Sequence, residues 1–162
     1  MQFKPVPAAP ESLDVLETVR RAVPRDPEST NDCCARLVER TEIESRDAAA
    51  AWLIFLRALE CASEEPSGFA RTRRDLEPED LRRAFRDRVC GADELLARLE
   101  AADEPLSATA TADRLGGTDS RSERRDRSNR FEERREERVE RLLEWAALLG
   151  LAERTDGGYR RD

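Results

Sequence analysis

The second half of this chain repeats the first, and no other feature restricts the fold as much. Shifted by 90 residues, Leu53 meets Leu143, Leu59 meets Leu149, Ala62 meets Ala152, Gly68 meets Gly158, Phe69 meets Tyr159 and Arg71 meets Arg161. Phe55 falls on Trp145, and no gap is needed. Further upstream the offset changes to 78, where Ala35-Arg36-Leu37 matches Asp113-Arg114-Leu115. The second copy therefore carries about a dozen extra residues, which fall within 120–131. A chain of 162 residues made of two copies leaves room only for two very small domains.

Apolar content limits each core. Leu, Ile, Val and Phe make up about a fifth of the chain, and 40% of it is charged. A small core is within reach and a large enzyme core is not. No apolar run approaches the roughly 18 residues of a membrane helix. The first ten residues carry one Lys and no apolar run, so a secretory signal is not expected and the chain reads as cytoplasmic.

Hydrophobic spacing gives each copy the same order of elements. Leu13, Leu16, Val19 and Val23 mark a helix that Pro24 stops. A short helix over 31–40 turns Cys34, Leu37 and Val38 inward, and a turn follows at 41–45. Ser45 is a fitting N-cap for a third helix running to about Ala62. Its core, Ala48 to Leu56, is apolar nearly all round, which predicts the most buried element. Ser63 to Gly68 and a basic strand-like stretch, Phe69 to Arg74, come next. Pro78-Glu79-Asp80 opens a fourth helix, which Gly91 breaks. Helices over 92–102 and 107–115 are followed by a polar stretch, 118–130. A long helix then reaches about Leu149. Asp156-Gly157-Gly158 between two short strand candidates is a hairpin signal. Trp52, Phe55 and Trp145 lie on the apolar helices and are expected in the core.

That order resembles the winged helix-turn-helix domain, three helices closed by a β-hairpin wing. The resemblance rests on Ala35 to Ile43, on the helix from Ser45 to Cys61, and on Leu148-Leu149-Gly150-Leu151-Ala152-Glu153-Arg154 through Tyr159. It implies a mainly α fold with short hairpin wings: two winged-helix-like units joined by a helix. The expected division is a loose N-terminus at 1–10, a first unit at 11–75, a joining helix at 76–91 and a second unit at 92–162. The joining helix, with Arg82, Arg83, Arg86 and Arg88 on its outer side, would link the copies or support a dimer.

Two absences restrict the chemistry. The chain has no His, the usual acid–base residue and the commonest metal ligand. Carboxylates are too evenly spread to single out a catalytic pair, and Ser and Thr have no base beside them. No Gly-rich phosphate loop follows a strand. An enzyme is not expected, and no cofactor or metal is implied. Cys33, Cys34, Cys61 and Cys90 lack C-x-x-C spacing. Cys33-Cys34 could be a vicinal thiol sensor, but buried small side chains in a helix are the simpler reading. Lys4 is the sole lysine, so Arg supplies nearly all the positive charge in a chain of net charge −7. An Arg-for-Lys, acid-rich surface points to a salty cell interior, a GC-rich genome, or both, and reads as a halophile signature. At molar salt the Debye length is about 3 Å, so an acidic total does not exclude nucleic acid.

In helix-turn-helix proteins the first turns of the third helix touch base edges. Those turns in the first copy are Arg46-Asp47-Ala48-Ala49-Ala50, where only Arg46 could read a base and Asp47 repels phosphate. The wing that follows, Phe69-Ala70-Arg71-Thr72-Arg73-Arg74, is basic and carries a hydroxyl, so Arg71, Arg73 and Arg74 suit phosphates better. In the second copy Ser128, Asn129, Arg130 and Arg134 open the long helix, behind Arg121, Arg124, Arg125 and Arg127. Asn pairs bidentately with adenine and Arg with guanine. From Ser120 to Arg141 nine Arg stand against seven acids. Spacing also pairs Glu132, Glu133, Glu136 and Glu137 with following Arg, as in a solvated helix. Arg160 and Arg161 complete the candidate set. The partner this implies is double-stranded DNA, bound by a transcriptional regulator, with a homodimer plausible. The alternative is a protein–protein adaptor without base readout, similar in layout to the kleisin-binding subunits of condensin complexes or to winged-helix subunits of general transcription factors.

Overall fold

The computed structural model describes residues 6–72, 77–89, 91–116 and 125–162; for residue 116 and for 125–135 it describes the backbone alone. The chain folds as two compact units, Met1–Cys90 and Gly91–Asp162. The fold is mainly α with two short antiparallel hairpins.

In the first unit α1 (Leu13–Ala22), α2 (Thr30–Arg40) and α3 (Arg46–Ala58) precede β1 (Ala62–Glu65) and β2 (Gly68–Arg71). Ser29 and Ser45 cap α2 and α3, accepting hydrogen bonds from the Asp32 and Ala48 amides. The third helix is shorter than its apolar run implies. It ends at Ala58, and the Cys61 amide reaches back to the Leu56 carbonyl at 2.8 Å. That closing turn needs a left-handed residue, supplied by Glu60 with φ 64. In the second unit the same place holds Gly150, and the Leu151 amide meets the Ala146 carbonyl at 2.8 Å.

The second unit runs α5 (Ala92–Ala101), α6 (Ala108–Gly116), α7 (Arg125–Leu148), β3 (Ala152–Thr155) and β4 (Gly158–Arg161). Its core gathers Leu95, Leu96, Leu99, Leu142, Leu143, Trp145 and Ala146, all nearly free of solvent. The first core is built from Leu16, Val19, Leu37, Leu53, Phe55 and Leu56. Trp52, Phe55 and Trp145 are core residues, as their helices imply.

Two placements differ from the sequence expectation. The N-terminus is not loose throughout, because Val6 and Pro7 are buried. The helix expected to join the copies, α4 (Pro78–Arg88), lies inside the first unit. It buries Leu81, Ala84 and Phe85, and Arg88 pairs with Glu60 at 3.4 Å. Its apolar face is too large to leave in water.

Each hairpin is joined by a third strand-like residue. Glu28, just before α2, pairs with Phe69; Leu106, just before α6, pairs with Tyr159. Both exchanges use two backbone hydrogen bonds of 2.7–3.1 Å. The glycine before each wing residue makes this approach possible. A Cβ on Gly68 would collide with the Glu28 carbonyl, and one on Gly158 with the Leu106 carbonyl. Both glycines also hold positive φ, 135 and 134 degrees.

The thiols Cys33, Cys34 and Cys61 are buried and unbridged. Cys33 donates to the Glu28 carbonyl at 3.4 Å, so it packs beneath the bridge. Burial raises the pKa of all three above the usual thiol value, that of Cys61 to about 12. These are poor nucleophiles, and the sensor reading of Cys33-Cys34 loses its chemical basis.

Two outcomes are expected. Gly68→Ala or Gly158→Ala destabilises its own unit by about 3 kcal/mol, read by denaturant unfolding, because strain and the lost bridge add. Cys61 stays protonated in the fold but has an ordinary pKa of 9.0 when unfolded. Its contribution is therefore complete below pH 9 and is lost as pH rises towards about 12. Cys61→Ala should flatten that alkaline loss in an unfolding series.

Candidate nucleic-acid interface

A winged helix offers DNA the exposed face of its third helix and the tip of its wing. In the first unit that face is nearly uncharged. Arg46 opens α3 and is exposed, with exposed Asp47 and Ala48 beside it. Ala50, Ala51, Ile54 and Ala58 are half-buried along the helix. Further down, Arg57 is paired with Glu64 of β1. The tip of the wing, Glu64 to Ser67, is exposed and carries Glu65 as a second acid.

Arg71 does not sit at the wing tip. It ends β2, where its amide bonds the Pro24 carbonyl at 2.7 Å and its Nη1 the Arg21 carbonyl at 3.4 Å. Arg73, Arg74, Arg121 and Arg124 lie outside the described residues.

The second unit has a different third helix. α7 has 24 residues against 13 in α3. Glu136 is the counterpart of Arg46, so residues 125–135 are an extension the first copy lacks. At 1.5 Å per residue it is roughly 16 Å long, more than the width of a major groove. Arg125, Arg127, Ser128, Asn129, Arg130 and Arg134 all lie on it. Helical spacing and the end of a helix with unpaired backbone amides bring these residues onto one element. Among the described residues, no other candidate shares it.

Beyond Glu136 the same helix is acidic. Glu137 and Glu140 are exposed, and Glu136 and Glu144 are half-buried. Arg141 pairs with Glu137 at 3.1 Å. On the second wing Arg160 is held by Glu153 at 2.8 Å, and Arg161 donates to the Leu151 carbonyl at 2.6 Å. Arg154 lies over the Tyr159 ring at 5.9 Å. Burial, opposed by Arg154, raises the pKa of the Tyr159 phenol, and Glu144 and Glu140 push it further up. Arg160 and Arg161 thus brace the hairpin.

Sequence reasoning missed the strand-like residues Glu28 and Leu106. Their signal was present as Pro27-Glu28-Ser29 and Pro105-Leu106-Ser107, a Pro-x-Ser repeat at the 78-residue offset. The serine is a helix cap in each copy, since Ser107 accepts from the Ala110 amide as Ser29 does from Asp32. Among the described residues, no group of three or more Cys, Asp or Glu side chains is placed to hold a metal ion. No described helix is long and apolar enough to cross a membrane.

The family model described as Halobacterial double winged helix domain matches residues 1–162. No curated protein and no solved structure matches the chain.

Proposed function

The chain belongs to the halobacterial double winged helix domain family, and from that premise we propose that it is a DNA-binding protein regulating transcription. The family's fold is of the DNA-binding, regulatory type. The observation that carries the proposal is the extension of α7. It adds to one third helix the Arg, Ser and Asn side chains that its counterpart lacks. Arg125, Arg127, Arg130 and Arg134 are the contacts to phosphate and guanine; Ser128 and Asn129 are the neutral readers. Arg121 and Arg124, just ahead in sequence, belong to the same cluster. Arg46 is at most an accessory contact, with Asp47 beside it. The roles of Arg73 and Arg74 are phosphate contacts alone.

A second reading has its own support. The half-buried alanines and Ile54 of α3, with Glu64 and Glu65 at the wing, suit a protein surface better than a phosphate backbone. In that reading the first unit docks a protein, as in an adaptor subunit. The two readings are compatible if each unit takes one role.

The experiment is charge reversal of Arg121, Arg124, Arg125, Arg127 and Arg130 to Glu. Each lost contact to DNA is worth about 1–3 kcal/mol, so duplex affinity should fall at least hundredfold at constant salt. Unchanged affinity in a fluorescence anisotropy titration would refute the regulator. A protein partner that survives nuclease treatment in a pull-down would then favour the adaptor.

A further inference from the structure

The chain's negative total hides a positive face among the described residues of the first unit, distinct from the exposed N-terminal turns of its third helix. It lies where the C-terminal end of α1 meets the exit of β2. Arg20 and Arg21 sit in the last turn of α1, and Arg25 follows the Pro24 stop. Arg71 arrives from β2, bonded to the Pro24 and Arg21 carbonyls. Arg36 comes from α2 and donates to the Ala22 carbonyl at 3.2 Å.

Part of this gathering is ordinary helix chemistry. The free carbonyls at a helix C-terminus carry about half a negative charge, which favours a cation. That is too little for five guanidiniums. Among the described residues, the carboxylates in the neighbourhood are few. Glu17 is shared by Arg20 and Arg21, both at 2.8 Å. Glu28 approaches Arg36 at 4.0 Å, and Asp26 is exposed beside Arg25 in sequence. The hydrogen bonds from Arg20 hold Glu17 ionised below the usual carboxylate range. The crowding is also felt by Arg71. Desolvation first, then Arg25, Arg20 and Arg21, lower its pKa, and Glu17 opposes them.

Arg21 and Arg25 are exposed, Arg21 with 72% of its side chain in solvent. Beneath them Val19, Ala22, Val23 and Pro24 are buried. Among the described residues, the face is thus charged and has no apolar centre. Protein interfaces are built around a buried apolar centre; contacts to phosphates need none. The guanidinium fork also matches a phosphate geometrically, and Arg71 is already fixed by its backbone partners.

We infer that Arg21 and Arg25, with Arg71 beside them, form a docking site for the phosphodiester backbone of nucleic acid; Arg20, largely buried and bonded to Glu17 and the Thr72 carbonyl, supports it from within. The inference rests on the DNA-binding reading and extends it. The first unit contacts DNA by the end of α1 and not by its own third helix. The contact is blind to sequence. It anchors the first unit while α7 of the second supplies base contacts.

The test uses the full chain and a labelled duplex of random sequence, titrated over a range of KCl around 1 M. The variant is Arg21→Glu with Arg25→Glu, both exposed, with Arg21→Gln and Arg25→Gln as a milder pair. Thermal unfolding of each checks the fold. The expected result is an affinity loss of about tenfold or more, with the slope of log K against log salt shallower by about two. Lys at both positions should restore most of the affinity. Full duplex affinity in both pairs, with wild type binding, overturns this site and leaves the role of α7 intact. No duplex binding by wild type overturns both. A loss of binding to poly-glutamate with duplex affinity unchanged also overturns it, and would assign the face to an acidic protein.

Discussion

The backbone bridge between the wing and the residue before the second helix decides the shape of each unit. Glu28 with Phe69, and Leu106 with Tyr159, tie each two-stranded hairpin by an isolated bridge to the segment before the second helix. A lone hairpin of four-residue strands is marginal in water. The bridge attaches it to the helices through backbone alone, and a glycine must stand beside it. Everything around the contact follows. Phe69 and Tyr159 are buried, Cys33 packs under the first bridge, and Ser29 and Ser107 start the helices that follow.

Because the frame is carried by backbone and small residues, the surface of each copy is free to diverge. The third helix of one copy is short and alanine-rich; that of the other is eleven residues longer, and those residues are rich in Arg. Two arginines that align between the copies, Arg71 and Arg161, are tied to carbonyls within the fold. Arg71 combines such a tie with a place in the cluster at the end of α1, and the arginines of the α7 extension have no counterpart in α3.

The repeat, the order of elements and the aromatic core were legible in the sequence, since apolar spacing and glycine positions record them directly. The start of the second wing strand was legible through Gly68 and Gly158. Other features were not. The end of α3 was hidden because Leu59 and Cys61 continue the apolar run, while the stop is a left-handed turn at Glu60, where sequence usually places Gly. The ownership of α4 was hidden because its burial depends on the first unit's surface. At the candidate interface, the sequence marked Arg71, Arg160 and Arg161 as DNA contacts, without showing what they bond within the fold. Their partners are a carbonyl far away in the chain, a carboxylate across the hairpin and a carbonyl ten residues back, which no local pattern encodes. The cluster at the end of α1 escaped notice for the same reason: Arg71 is about fifty residues from Arg21 in sequence.

The central claim is that DNA is held by the extension of α7 and by the end of α1, and not by α3. Hydrogen exchange measured by mass spectrometry on the full chain, with and without duplex DNA at about 1 M KCl, tests it most directly. The account predicts slower exchange on adding DNA in peptides covering 125–135 and 20–25, with those covering 46–58 unchanged. Slower exchange confined to 46–58, or no change anywhere, would contradict it.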